Sequence, residues 1–208
     1  MKEHLSLEST ALIIVDVQND FCHEDGACAR MGRDVKGAQA IVPSIQLLIG
    51  ECRERGVPVI FIQMTQEPHT LSEAWNMRPR PAGTEGIAVT QRNSWGADFY
   101  KLTPKPDDII VEKHRYSAFI GTQLDLILRT MNIKSLLVTG VATNVCVEST
   151  ARDGFMLDYH VTVVKDACAG YSPELHEATF GNVTAHFGRV LETGEILSYW
   201  KEHQSLTV

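Results

Sequence analysis

The fold is decided by residues 136–150, which read LLVTGVATNVCVEST. An apolar run is followed by small residues and then by the start of a helical pattern, which predicts a buried strand, a turn and a helix. Cys146 then lies in the first helical turn, where unpaired backbone N–H groups stabilise a thiolate and an oxyanion formed beside it. A free cysteine in an apolar stretch is more often a small core residue, so this segment alone leaves both interpretations open.

Two further apolar runs end in a charged residue. Asp16 follows ALIIV at 11–15, and Lys113 follows DIIVE at 108–112. Runs of this kind are typical of strands buried on both faces of a parallel sheet, whose carboxyl ends form the ligand-binding rim. Either residue alone could be a turn or surface residue. Their joint occurrence with Cys146 predicts that an acid, an ammonium group and a thiol meet at this rim.

The rest of the chain alternates between strand and helix patterns. We predict further strands at 57–63, 135–140, 160–165 and 189–191, and helices at 35–55, 122–132, 144–159, 173–187 and from 193. This alternation predicts an α/β three-layer sandwich, a six-stranded parallel sheet with helices on both faces. Residues 64–106 lose the periodicity and form an irregular insertion within what we expect to be a single domain over 1–208.

Composition narrows the class of protein. A net charge of −7 over 208 residues argues against a nucleic-acid or membrane-surface binder, and we expect a cytoplasmic protein because no secretory or membrane-spanning segment is evident. Five cysteines, an odd number, fit free thiols in a reducing compartment. Neither zinc-ligand spacing nor a phosphate-binding loop is found, so we expect no metal and no cofactor.

Three ordered motifs carry a family resemblance. They are DVQNDF at 16–21, KHRYSAF at 113–119 and GVATNVCV at 140–147. With these motifs the chain resembles the isochorismatase-like cysteine hydrolases over roughly residues 11–192. The resemblance implies the isochorismatase-like fold, a catalytic triad of Asp16, Lys113 and Cys146, a non-proline cis peptide just before Ala142, and a homo-oligomer.

The resemblance also implies a substrate class. From Lys113 to Phe155 the chain looks most like the ureidoacrylate amidohydrolases, and biuret and triuret hydrolases and N-carbamoylsarcosine amidases share the triad. After the second strand the chain reads QMTQ at 63–66, where ureidoacrylate enzymes carry an Asn and a Trp. We therefore expect hydrolysis of a small ureido or carbamoyl amide as a class, with release of ammonia or carbamate.

Other functions stay open as alternatives. Nicotinamidases carry an Asp-x-His metal motif after the second strand, which residues 65–69 do not reproduce, and isochorismatases proper lack the nucleophilic cysteine. The alternatives are an amidase of another small amide, resembling nicotinamide or maleamate, and a non-enzymatic binding or redox-sensing protein on the same fold.

The expected mechanism assigns a role to each residue of the triad. Asp16 is the general base toward Cys146, while Lys113 helps to hold the thiolate and keeps Asp16 ionised. The thiolate attacks the carbonyl and forms a thioester-type intermediate. The backbone N–H groups of Ala142 and Cys146 form the oxyanion hole.

Four further residues are candidates for substrate contact: Gln18, Phe21, Arg115 and Tyr116. A planar guanidinium such as that of Arg115 can clamp a carboxylate, although it can equally pair with a nearby acidic side chain. The aromatic ring of Tyr116 can instead pack under the loop.

Overall fold

The computed structural model describes residues 3–203, which contain one sheet of six parallel strands. The strands are β1 (Thr10–Val15), β2 (Val59–Met64), β3 (Ile109–Lys113), β4 (Ser135–Val141), β5 (His160–Ala169) and β6 (Arg189–Leu191). Their order across the sheet is β3-β2-β1-β4-β5-β6, so β1 and β4 are its central strands. The predicted α/β architecture is confirmed.

Helices cover both faces of this sheet. They are α1 (Asn19–Cys22), α2 (Ala27–Arg30), α3 (Lys36–Ala40), α4 (Val42–Glu54), α5 (Glu73–Asn76), α6 (Leu124–Thr130), α7 (Glu148–Met156), α8 (Pro173–Asn182) and α9 (Thr193–His203). Alternate residues of β1 point to opposite layers. Leu12 and Ile14 pack in the core that α4 and α9 cover, whereas Ile13 packs in the core of α6, α7 and α8. Burial on both faces explains the unbroken apolar run of β1.

Some elements differ in detail from the predictions. The helix predicted over 35–55 is divided at Ile41 into α3 and α4, because Pro43 lies in the first turn of α4 and has no N–H to donate to the carbonyl of Gln39. The predicted helices at 144–159 and 173–187 each contain a π-helical turn, at Thr143–Val147 and Val183–Phe187. Strand β5 continues beyond the predicted end at 165, to Ala169.

The irregular insertion at 64–106 is attached to the loop that follows β1. The Gln18 side chain donates to the carbonyl oxygens of Met64 at 2.9 Å and Ala97 at 2.7 Å. The Asp20 carboxylate accepts the backbone N–H of Thr90 at 2.6 Å and that of Ala27 at 2.9 Å. These long-range bonds hold the insertion beside the carboxyl ends of the strands.

Within residues 3–203, no helix is long and apolar enough to cross a membrane.

Candidate active site

Asp16 and Lys113 form a fully buried ion pair at the carboxyl ends of the strands. Lys113 is the last residue of β3 and Asp16 directly follows β1, with β2 lying between them. The Lys113 Nζ lies 2.7 Å from Asp16 Oδ2, and both side chains are 0% exposed. Lys113 also donates to the carbonyl oxygen of Arg115 at 3.0 Å and contacts Met64 Sδ at 3.5 Å. Its ammonium group is therefore fixed in one position.

Asp16 is held by an unusual backbone conformation. Its φ angle is 54°, in the left-handed region that aspartate tolerates better than most residues. Its backbone N–H donates to the carbonyl of Ile62, and its own carbonyl accepts the N–H of Gln18 at 2.8 Å. The second carboxylate oxygen, Oδ1, has no well-formed hydrogen bond from any residue in 3–203. One oxygen of Asp16 is thus bound by Lys113 and the other is free to accept a proton.

Cys146 lies in the π-helical turn between β4 and α7. Thr150 donates its hydroxyl to the Cys146 carbonyl at 2.7 Å, and Ala118 donates its backbone N–H to the Thr150 oxygen at 3.0 Å. π-helical turns are rare and are frequent at functional sites. The thiol is buried, and it interacts with both Asp16 and Lys113, since each affects its pKa. The structure therefore brings the three residues together.

Burial and the neighbouring charges shift the pKa values of all three residues. Burial raises the pKa of the Cys146 thiol, and Asp16 raises it too, while Lys113 opposes them. Burial likewise raises the pKa of Asp16 against the lowering effect of Lys113. Burial alone would lower the pKa of Lys113, but Asp16 and Cys146 together raise it. A thiol with a raised pKa needs a base to remove its proton, and the raised pKa of Asp16 makes its carboxylate a stronger base.

The turn before Cys146 brings the backbone close to β1. Gly140 has a φ of 111°, and a Cβ at this position would lie 2.0 Å from the carbonyl oxygen of Val15. The peptide bond between Val141 and Ala142 is cis. The Ala142 carbonyl accepts the N–H groups of Val145 and Val147. Ala142 and Cys146, predicted to form the oxyanion hole, therefore lie at the two ends of one short turn.

A pocket of about 120 Å³ opens over Cys146. Ala142 and Val145 line it near the thiol, and Phe21 and Tyr116 line its walls. The Tyr116 ring lies 4.8 Å from that of Trp75. Phe21 and Tyr116 therefore lie where substrate contact was predicted.

Gln18 and Arg115 lie elsewhere. Gln18 is 0% exposed, and its side-chain amide bonds to the backbone of Met64 and Ala97, so it joins the loop after β1 to the end of β2 and to the insertion and does not line the pocket. Arg115 donates to the carbonyl oxygens of Thr70 and His114 and is not among the residues that line the pocket. Within residues 3–203, Arg115 forms no ion pair with an acidic side chain, and its contact with a substrate stays a prediction.

The insertion contributes pocket residues that were not among the predicted substrate contacts. Trp75, Arg78 and Arg80 line the pocket, together with Arg33 from the loop after α2. The only signal in the sequence was the Trp-, Arg- and Pro-rich composition of the insertion. Composition showed that the segment was unusual, but not which side chains face Cys146.

No group of three or more His, Cys, Asp or Glu side chains within residues 3–203 is arranged to hold a metal ion. Of the residues described, those that line the pocket include no histidine and no carboxylate.

Comparison with known proteins shows the family of the chain. The family model for the isochorismatase domain matches residues 10–195. The chain is 34% identical, over 97% of its length and 88% of the relative's, to the ureidoacrylate amidohydrolase RutB of Acinetobacter baylyi.

Solved structures share the fold. A cysteine hydrolase from Pseudomonas syringae pv. phaseolicola superposes with a TM-score of 0.84 at 29% identity, covering 95% of this chain and 94% of that one. The N-carbamoylsarcosine amidase of Thermoplasma acidophilum superposes with a TM-score of 0.72 at 26% identity, covering 89% and 96%.

Proposed function

The chain belongs to the isochorismatase domain family, and we propose that it is a cysteine-dependent amidohydrolase that cleaves a C–N bond of a small ureido or carbamoyl amide. Its relatives support the amidohydrolase class, since the ureidoacrylate amidohydrolase RutB is matched over nearly the whole chain. A cytoplasmic location, a homo-oligomer and a single domain over 1–208 stay predictions.

The observation that carries the proposal is the position of the buried Asp16–Lys113 pair beside Cys146 at a small pocket. Burying two charges is costly even when they pair, and apolar residues of the same size would often be at least as stable there. A binding protein or a core cysteine needs neither charge, and a thiol-activating site needs both. The combination therefore favours nucleophilic catalysis over the non-enzymatic alternatives.

In the proposed first step, Asp16 takes the proton of the Cys146 thiol as the sulfur attacks the substrate carbonyl carbon. The raised pKa of Asp16 makes its carboxylate a better proton acceptor. Lys113 stays protonated and compensates the negative charge that forms on the sulfur. Because the pKa of the thiol is raised, we place the removal of its proton and its attack in one chemical step.

The tetrahedral intermediate places a negative charge on the former carbonyl oxygen. The backbone N–H groups of Ala142 and Cys146 are the proposed donors to it, and such a donor contributes about 3–4 kcal/mol where this has been measured. The proton on Asp16 then passes to the leaving nitrogen as the C–N bond breaks. A thioester-type intermediate remains on Cys146, and water deprotonated by Asp16 releases the acid and regenerates the thiol.

The test is ammonia release from ureidoacrylate, N-carbamoylsarcosine, biuret, triuret, maleamate and nicotinamide, with Cys146→Ala run beside the wild type. We expect release from ureido or carbamoyl compounds that Cys146→Ala abolishes. Cys52→Ala is the matched control, because Cys52 is a buried residue of α4 and does not line the pocket. Release that survives Cys146→Ala, or silence over the whole panel, would contradict the proposal.

A further inference from the structure

The charged side chains that line the pocket over Cys146 are all positive. Three guanidinium groups line it, those of Arg33, Arg78 and Arg80, and no aspartate or glutamate does. None of the three forms an ion pair with a carboxylate within residues 3–203. In a chain with a net charge of −7, a cationic wall without counter-charges is a local feature that the overall composition does not explain.

Trp75 adds an unpaired donor to the same wall. Its side chain lines the pocket, the residue is only 7% exposed, and its indole Nε1 has no acceptor among residues 3–203. Buried donors are nearly always paired, because an unpaired one loses its bond to water without replacement. An indole N–H can only donate, so the partner it lacks is an acceptor.

Arg78 contacts Trp75 and belongs to the same positively charged wall. Its guanidinium carbon lies 4.3 Å from the centre of the Trp75 ring, and it donates to the Trp75 carbonyl. Burial, followed by the positive charge of Arg80, lowers the pKa of Arg78. Two neighbouring guanidinium groups that repel each other would both be stabilised by one bound anion.

We propose that the substrate carries a carboxylate, which Arg78, Arg80 and the indole N–H of Trp75 bind while Cys146 attacks the amide at the other end. Arg33 adds positive charge to the same wall. This inference rests on the proposed function and makes it more specific: among small amides, the anionic ones are selected over neutral ones of the same shape.

The test compares amides that differ in the carboxylate alone: maleamate against maleamide, and N-carbamoylglycine against N-carbamoylglycinamide. We expect the wild type to favour the anionic member of each pair by about 10- to 100-fold in kcat/KM, as expected for hydrogen bonds to a charged group. The double variant Arg78→Gln/Arg80→Gln should raise KM for the anionic member far more than for the neutral one, with a smaller effect on kcat. Trp75→Phe keeps the ring and removes the donor, and it should raise the same KM by several-fold.

Arg129→Gln is the matched control, because it removes one positive charge from the exposed face of α6, where Arg129 pairs with Asp125. It should leave the preference for the anion intact. Equal kcat/KM values for the members of both pairs, or equal losses for both members in Arg78→Gln/Arg80→Gln, would overturn the inference.

A separate binding measurement distinguishes this inference from the proposed function. Calorimetry with Cys146→Ala compares maleamate with maleamide in the absence of turnover. Binding of maleamate alone, weakened by Arg78→Gln/Arg80→Gln, supports the anion site even if the wild type hydrolyses neither compound. If the wild type hydrolyses neutral amides and Cys146→Ala binds maleamate and maleamide equally well, the proposed amidohydrolase function stands and the anion site is overturned.

Discussion

At the residue scale, the site depends on a charge pair that is buried completely. The Lys113 Nζ and the Asp16 carboxylate lie 2.7 Å apart with no exposure to solvent. Each charge is tolerated there because the other is present, and the geometry leaves Oδ1 of Asp16 without a well-formed hydrogen bond from residues 3–203. Stability and the proposed chemistry thus depend on the same two side chains.

The first prediction concerns the pH dependence of activity. Asp16 must be ionised to accept the proton of Cys146, and burial raises its pKa above the ordinary 3.8. We therefore expect kcat/KM to fall as the pH drops through this raised pKa, and to be maintained above it. The measurement is kcat/KM between about pH 4 and pH 8 with a substrate that does not titrate in this range. Full activity at about pH 4 would contradict the role of Asp16 as the base.

The second prediction concerns the coupling between the two charges. Lys113→Met leaves the Asp16 carboxylate buried without a partner and should lower the free energy of unfolding at neutral pH by about 3–5 kcal/mol. In the double variant Asp16→Asn/Lys113→Met no charge is left unpaired. It should therefore lose less stability than the summed losses of Asp16→Asn and Lys113→Met. Urea denaturation of the wild type, the two single variants and the double variant gives the coupling energy. Additive losses would show that the pair is not coupled.

At the element scale, the site is formed where the central strands β1 and β4 come closest. Asp16 follows β1 directly, and the turn that carries Cys146 begins after Val141, the last residue of β4. Val15 and Gly140 are register partners at the ends of these strands. The positions of base and nucleophile are therefore set by one backbone contact.

The third prediction tests this contact with a pair of glycine substitutions. Gly140→Ala places a Cβ 2.0 Å from the Val15 carbonyl oxygen at a φ of 111°, and it should cost at least about 3 kcal/mol of stability and most of the activity. Gly50→Ala, within α4, meets nothing within 4 Å and should stabilise the protein by about 0.5–1 kcal/mol.

Thermal denaturation and ammonia release would be measured for both glycine variants. If Gly140→Ala kept the stability and activity of the wild type, the close approach of β1 and β4 would not control the site.

At the scale of the whole molecule, every cysteine is buried, four of them in the two cores on either side of the sheet and Cys28 beside the pocket. All five thiols are free and buried, and burial raises the pKa of each of them, that of Cys52 to about 12. In the unfolded chain these thiols titrate near 8.5. The folded protein therefore holds protons that the unfolded chain releases under mildly alkaline conditions.

The fourth prediction follows from the sign of this difference. A pKa raised by folding contributes stability that is fully present below the unfolded pKa and is lost as the pH rises toward the folded one. Above about pH 9, each thiol should lower the free energy of unfolding by about 1.4 kcal/mol per pH unit. Urea denaturation at about pH 8, 9 and 10 with a reductant measures the slope. The slope should be smaller in Cys52→Ala, and an unchanged slope would contradict this explanation.

The sequence alone was sufficient for the sheet and for the residues at its carboxyl rim. The apolar runs before Asp16 and Lys113 and the strand, turn and helix pattern around Cys146 are local patterns that predict strands of a parallel sheet. Burial on both faces holds for β1 and β4 but not for β3, which lies at the edge of the sheet and exposes Ile110. The motifs around Asp16, Lys113 and Cys146 likewise indicated the family from the sequence alone. The catalytic roles of the three stay predictions.

Only the tertiary structure decided what surrounds the rim. The insertion has no periodicity, and its path is set by bonds between residues far apart in the chain, such as those from Gln18 to Ala97 and from Asp20 to Thr90. The motif made Arg115 one candidate for a carboxylate contact, whereas in the folded chain Arg78 and Arg80 line the pocket and Arg115 does not. The physical reason is that strand periodicity reports the burial of neighbouring residues, whereas the direction of a loop side chain depends on contacts that exist only after folding.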